Sequence, residues 1–155
     1  MKHLQRLQGK LLPPGAEEMF IANVGYRIQQ LLRMAYAHIQ MFLYRPFLHY
    51  VSPTVKNKTV DKRSYACAAA CVSVSRNIIH ITGEMKKRGL LTGAYWFYMY
   101  TTFFAILSLV FFVVENPQSP TSKDILRDAS EGKSTLASLA QRSMAADRCS
   151  RTLAV

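Results

Sequence analysis

Apolar side chains recur at steps of three and four along much of the chain, which is the spacing of one face of an α-helix. On the first such stretch this spacing is kept by Phe20, Val24, Ile28, Leu31, Leu32, Ala35, Ile39, Phe42 and Leu43. Polar residues fall largely between these positions, so we predict an amphipathic helix that buries this face. Pro46 lacks a backbone N–H and crowds the preceding turn, so the helix should end near Tyr44 and Arg45.

A second helix is predicted after a loop at residues 52–58. Asp61 can cap it, because its side-chain oxygen can accept a hydrogen bond from a free backbone N–H of the first turn. Its apolar face consists of Cys67, Cys71, Val74, Ile78 and Ile81. Gly83 lies where a C-terminal cap is expected, and residues 84–89 then form a short basic turn.

Residues 115–122 are rich in Pro and Ser and predict a break, after which the helical spacing returns. Thr121 and Asp124 have the spacing of a capping box. The face of the following helix is lined by Ile125, Ala129, Leu136, Leu139 and Ala140, with Gly132 as a weak point inside it. Ser143 is the expected cap of a last short helix, which holds Met144, Cys149 and Leu153.

Residues 90–114 contain no charged side chain and allow two interpretations. Thirteen of them are Leu, Ile, Phe or Val, which gives about −4 to −8 kcal/mol of preference for insertion into a membrane. The length is also sufficient to span a bilayer. The three other long helical patterns, however, carry apolar faces that need a partner, and one helix that is apolar all round could serve them all. We therefore predict an all-α, bundle-like domain of several helices around one central apolar helix.

The charge is strongly basic, with 20 Lys and Arg against 9 Asp and Glu and a net charge of +11. Such a balance favours anionic partners, but apart from Lys86–Arg88 the basic residues are scattered, which is typical of a solvated surface. Residues 1–15 are interpreted as a loose basic lead-in. Three cysteines do not suggest a disulfide framework, and no secretory signal is visible, so we expect a reducing location.

The search for chemistry finds no catalytic motif: the sequence has no phosphate-binding loop, nucleophile elbow or zinc-protease signature. Cys67 and Cys71 lie four residues apart, whereas structural zinc usually needs four ligands, so both are expected to be small core residues. The four histidines, His3, His38, His49 and His80, are far apart in the sequence. We therefore expect no enzyme activity, no catalytic or metal-binding residue and no cofactor in this chain.

Four segments in the same order resemble one protein family. They are LRMAYAHIQMFLYRPFLHY (32–50), ACAAACVSVSRNIIHI (66–81), GAYWFYMYTTFFAILSLVFFVVENP (93–117) and LASLAQRSMAADRCSRTL (136–153). Together they resemble the fungal-specific transcription factor domain, which is the middle homology or xylanolytic activator-type regulatory region of fungal zinc-cluster transcription factors. The resemblance covers the C-terminal part of that domain only.

The resemblance implies a nuclear, all-α regulatory module over residues 16–155 that regulates DNA-templated transcription without contacting DNA itself. The family's six-cysteine zinc cluster is absent here, so zinc and DNA binding are expected only in the missing N-terminal part of full-length relatives. Expected partners are other parts of a transcription factor or co-regulators, and a dimer remains open. A fragment of this kind leaves its central helix partly uncovered, which predicts poor solubility. The alternative is a small membrane protein anchored by one span at residues 90–114.

The resemblance also marks candidate residues, to which we assign structural roles. The residues that match the family's motifs are Tyr44, Arg45, Pro46, Phe47, Ser143, Asp147, Arg148 and Cys149. Within the first group, Pro46 ends the helix, Arg45 can donate to free carbonyl groups at that end, and Tyr44 packs with its hydroxyl in water. A sharper alternative is a pocket for a small inducer lined by Tyr44, Trp96 and Tyr98.

Overall fold

The computed structural model describes residues 16–51, 61–91 and 96–154. The predicted lead-in at 1–15 and the predicted loop at 52–58 lie outside the described residues. The elements, in chain order, are α1 (Ala16–Tyr44), a 3-10 segment (Arg45–Val51), α2 (Lys62–Lys87), α3 (Trp96–Glu115), α4 (Ser122–Leu139), a 3-10 turn (Ala140–Arg142) and α5 (Met144–Thr152). The described part of the chain contains no strand, so the all-α prediction is confirmed.

Helix α3 lies at the centre, as the charge-free stretch predicts. Its packed side consists of Tyr98, Met99, Thr101, Thr102, Ala105, Ile106, Ser108 and Leu109, all of them buried. Helices α2, α4 and α5 and the 3-10 segment contact α3, with a smaller contact from α1. Helix α2 is equally central, because it packs against α1, α3, α4 and the 3-10 segment.

Three predicted helix ends are confirmed. Helix α1 ends at Tyr44, two residues before Pro46. The Asp61 carboxylate accepts a hydrogen bond from the backbone N–H of Arg63 at 3.1 Å and so caps α2. The hydroxyl of Ser143 accepts from the N–H of Ala146 at 3.3 Å and caps α5. In each case the chemistry of one residue is sufficient to stop or start the helix.

Two other cap predictions are wrong. Gly83 does not end α2; it is buried within the helix, which continues to Lys87. The glycine that follows the helix end is Gly89, whose φ of 66° is the left-handed conformation that glycine adopts at low cost. Thr121 does lie at the start of α4, but its hydroxyl bonds to that of Ser119 at 3.0 Å, so no capping box forms.

The predicted buried face of α1 is also wrong. The residues of α1 that are buried are Gln30, Met34, Ala37 and Met41, on the opposite side of the helix. The predicted face is exposed at every position except Ala35, which is half-buried. The reason is that α2 meets α1 through the narrower side that carries the two methionines, while the broad side stays largely exposed, with Val24, Ile28 and Leu31 beside a cavity that Met85 and Tyr98 also line.

Gly132 marks the closest approach between α4 and its neighbours. A Cβ atom at this position would lie 3.0 Å from Cγ1 of Ile106 and 3.2 Å from Cδ1 of Ile79. The glycine predicted as a weak point within the helix therefore lets α4 pack tightly against α2 and α3. The cost in helix propensity is offset by close packing.

Candidate functional site

The segment from Tyr44 to Phe47 forms a corner between α1 and the outer side of α3. Pro46 turns the chain into the 3-10 segment, and Leu48 then anchors that segment in the core, where it is 3% exposed. Tyr44 and Phe47 are half-buried against the core. The corner is thus a packing element whose shape follows from the proline.

Aromatic contacts attach this corner to α3. The guanidinium carbon of Arg45 lies 5.5 Å from the centre of the Phe104 ring, a cation–π arrangement. His49 meets Phe111 edge to face, with 5.0 Å between ring centres. The predicted donation of Arg45 to free carbonyl groups stays a prediction.

A shallow cavity of about 430 Å³ lies between the corner and α3. Its walls are Arg45, Leu48, His49, Leu107, Ser108, Val110, Phe111 and Val114. The charge of Arg45 also reaches Cys71 on α2, where it opposes the effect of burial. Burial dominates and raises the pKa of the Cys71 thiol to about 11, so this thiol is protonated at neutral pH.

The second group of motif residues lies in α5. Ser143 begins the helix as described above, and Asp147 pairs with Arg151 one turn later at 2.9 Å. Cys149 is buried, and this burial raises the pKa of its thiol. Arg148 is exposed, and its carbonyl oxygen accepts a hydrogen bond from the Thr152 hydroxyl. The segment therefore combines an N-terminal cap, an ion pair and a buried thiol in one short helix.

The aromatic residues proposed for an inducer pocket lie in different surroundings. Tyr98 is buried and lines a cavity of about 260 Å³, together with Val24, Arg27, Ile28, Leu31 and Met85. Trp96 lies two residues earlier, with 63% of its surface exposed and its ring edge-to-face with that of Tyr100. Tyr44 lies at the C-terminal end of α1. The inducer pocket remains a prediction, and the cavity beside Tyr98 is lined instead by the middle of α1.

Polar groups inside the core join α3 to its neighbours. The hydroxyls of Thr82 and Thr102 lie 2.7 Å apart, fully buried between α2 and α3. On the α1 side, the hydroxyl of Thr101 lies 3.4 Å from Nδ1 of His38. Within the described residues, no group of three or more His, Cys, Asp or Glu side chains is arranged to hold a metal ion.

The largest feature that sequence reasoning assigned wrongly is the exposed side of α1. It carries ten large apolar side chains that are 36–72% exposed, which we call the apolar strip: Phe20, Ile21, Val24, Ile28, Leu31, Leu32, Tyr36, Ile39, Phe42 and Leu43. Contiguous apolar surface of this extent is uncommon on monomeric soluble proteins and marks interaction sites. Its periodicity was visible in the sequence, but periodicity does not say what covers a face.

Comparison with known proteins relates the chain to fungal transcriptional regulators. It is 39% identical to activator of stress genes 1 of Saccharomyces cerevisiae over 127 aligned residues, and this alignment covers 79% of the chain. It is 37% identical over 81 residues, or 52% of the chain, to activator of stress genes protein 1 of Candida albicans. A transcriptional regulatory protein of Schizosaccharomyces pombe is 32% identical over 89 residues, again 52% of the chain.

These relatives are much longer than the matching segments. The matches correspond to 13%, 8% and 11% of the three relatives, respectively. No protein-family model matches the chain, and no solved structure matches it significantly. Over most of its length, the chain is therefore similar to a short part of proteins that are named as regulators of transcription in fungi.

Proposed function

We propose that this chain is the regulatory, non-DNA-contacting module of a fungal zinc-cluster transcription factor. The observation that carries the proposal is the 39% identity over 127 residues to a yeast protein named as an activator of stress genes. The four sequence segments that resemble the fungal-specific transcription factor domain support the same proposal. The module acts in the nucleus, in the regulation of DNA-templated transcription.

The proposal assigns DNA recognition to a different part of the protein. The match covers 13% of the yeast relative, which leaves most of that protein's length for other tasks. We infer that a zinc cluster, with the zinc and the DNA contact that it provides, belongs to such a part and that these 155 residues lack it. Cys71 and Cys149 have packing roles instead, since both are buried and burial raises the pKa of each thiol.

The surface of the described helices suits a module that acts through protein contacts. The apolar strip of α1 is exposed, and large exposed apolar patches mark protein interaction sites. We therefore propose that the module acts through protein partners: a second copy of the same factor, other parts of a transcription factor, or co-regulators. The cavity between Arg45 and Phe111 is a second place where an apolar side chain of a partner would fit.

A chimera tests the proposed function. The segment of the S. cerevisiae relative that matches this chain is replaced by the chain's own residues, and transcription of stress genes is measured in yeast. We expect activity to be retained. Leu109→Asp places a charge at a fully buried position of α3 and should abolish that activity, whereas the same change at Leu126 on α4, which is 51% exposed, should not. An inactive chimera that is stably expressed would contradict the proposal.

A second experiment tests the separation from DNA recognition. The purified chain is mixed with a library of random DNA duplexes in a mobility-shift assay, and its zinc content is measured by atomic absorption. We expect no sequence-specific shift and no stoichiometric zinc. A sequence-specific shift or stoichiometric zinc would assign DNA or zinc binding to these residues and overturn that part of the proposal.

Membrane anchoring is the second candidate, and one observation favours it. Helix α3 is long and apolar enough to cross a membrane by length and composition. Its packed side, however, includes the hydroxyl-bearing residues Thr101, Thr102 and Ser108, which lie against other helices or bond to the backbone. Alkaline carbonate extraction separates the candidates, since a spanning protein stays in the membrane pellet and a nuclear module is released from it.

A further inference from the structure

The apolar strip lies on the free side of α1. The packed side of this helix, with Gln30, Met34 and Met41, faces the opposite direction. A molecule can therefore approach the strip without displacing α2. Helix α1 has 29 residues, which corresponds to a length of about 43 Å.

The strip is large enough for a stable interface. At roughly 100 Å² of exposed surface for each large apolar side chain, its ten members present about 1,000 Å². A standard protein–protein interface buries about 800 Å² on each partner. The strip alone therefore reaches the area that a specific complex needs.

The strip also avoids the charge of the molecule. The whole chain carries +11, which would make two copies repel each other. Helix α1 has two acidic and two basic residues and is formally neutral. Between residues 19 and 43 its charged residues are Arg27 and Arg33, and Arg33 turns away from the strip to donate to the buried Gln30 at 3.2 Å.

The spacing of the apolar positions on α1 is the same when it is followed from either end of the helix. Ten apolar positions lie symmetrically about the midpoint between Leu31 and Leu32. They form the pairs 20 and 43, 21 and 42, 24 and 39, 28 and 35, and 31 and 32. An antiparallel copy with its two-fold axis at this midpoint therefore brings an apolar residue to the level of an apolar residue at every member of the strip except Tyr36, which falls level with Arg27. A two-fold interface requires such self-complementarity, whereas an unrelated partner does not.

We propose that the strip binds a second copy of this chain, with the two α1 helices antiparallel and Leu32 beside the two-fold axis. The pairing buries the largest exposed apolar surface of the described residues between two neutral helices. It follows from the geometry of α1 and does not depend on the proposed function. Its failure would leave the similarity to transcriptional regulators unaffected.

The mass of the full chain in solution tests the proposal. Sedimentation equilibrium or light scattering at micromolar concentration should give the mass of two chains. Leu32→Glu should convert the dimer into a folded monomer, because the side chain is 66% exposed in one chain but would bring two carboxylates together at the axis. Leu126→Glu on α4, 51% exposed, is the matched control and should leave the dimer intact.

Cross-linking tests the register and does not require pure or highly soluble protein. In a Cys67→Ser background, Leu32→Cys should form an oxidised dimer in cell extracts, because the residue meets its own copy near the axis. Ile21→Cys should not cross-link to itself but should cross-link to Phe42→Cys on a second chain, its mate in the antiparallel pairing. Self-linking of Ile21→Cys would indicate parallel helices and overturn the register.

Other occupants of the strip would give different results. A monomeric wild-type chain with no cross-link at Leu32 would refute the proposal. If the chain instead pelleted with phosphatidylcholine–phosphatidylserine vesicles and Leu32→Glu abolished this, the strip would be a lipid contact and the proposal would again be wrong. A dimer that Leu32→Glu does not weaken would place the interface elsewhere.

Discussion

The two threonines between α2 and α3 make the position of α3 testable by a double-mutant cycle. The Thr82 hydroxyl donates to the carbonyl oxygen of Ile78 at 3.0 Å, one turn earlier on α2. A hydroxyl has one hydrogen, so in the 2.7 Å contact between the two threonines the donor is Thr102 and the acceptor is Thr82. Both side chains are essentially inaccessible to water.

The two single changes should have unequal costs. Thr82→Val removes an acceptor and leaves the Thr102 hydroxyl buried without it, which costs about 1–3 kcal/mol. Thr102→Val removes a donor, while Thr82 keeps its bond to Ile78, so we expect about 0.5–1.5 kcal/mol. The double change replaces both hydroxyls by methyl groups of similar shape and should be nearly neutral. The coupling between the two positions should therefore be about 1.5–4.5 kcal/mol, the sum of the two single costs.

Urea unfolding of the four proteins, followed by circular dichroism at one protein concentration, measures this coupling. Thr152→Val on α5, whose hydroxyl bonds only within its own helix, is the control and should add to Thr82→Val without coupling. Additive effects of Thr82→Val and Thr102→Val, with a coupling below about 0.5 kcal/mol, would show that the hydroxyls do not meet. The arrangement of α3 against α2 would then be refuted.

Three further predictions concern glycine, a helix cap and a thiol. Gly132→Ala should lower the free energy of unfolding by about 1 kcal/mol, because the clash with Ile106 outweighs the gain in helix propensity. Gly25→Ala, with open space around the new methyl group, should raise the free energy of unfolding by up to about 1 kcal/mol. Thermal melting of the two variants tests this difference. Ser143→Ala should cost about 1 kcal/mol through the lost cap of α5, and Ser143→Thr should restore most of it. The pKa of Cys71 rises from 9.0 to about 11 on folding, so the folded state holds this proton longer and stability should fall as pH rises from 9 to 11. Urea titrations should show that Cys71→Ala flattens this decline; an equally steep decline in the variant would refute this assignment.

Local chemistry explains the structural features that the sequence predicted correctly. Asp61 and Ser143 cap their helices through atoms within three residues, and Pro46 acts on the turn that precedes it. The uncharged stretch at residues 90–114 likewise predicts a helix that is apolar on all sides, and α3 occupies the centre. These features do not require knowledge of what lies across the fold.

Features that depend on a neighbour could not be predicted in the same way. Gly83 is a suitable cap by sequence, but it is buried in the packed part of α2, and the glycine that follows the helix end is Gly89. Thr121 is correctly placed for a capping box, yet the nearby Ser119 hydroxyl takes its bond. The role of Gly132 appears only when Ile79 and Ile106 are placed against it.

The α1 helix shows most clearly what periodicity can and cannot establish. It carries apolar residues on two sides, a narrow one with Met34 and Met41 and the broad apolar strip, and the sequence pattern selects the broader side as the core. The narrow side packs within the chain because its small and flexible side chains allow α2 to approach closely. The broad side is left for a contact between molecules, where its area and freedom from charge are most useful. An exposed apolar strip lowers the solubility of a single chain and also drives dimerisation through α1. Leu32→Glu should therefore raise the solubility of the chain and abolish the dimer together.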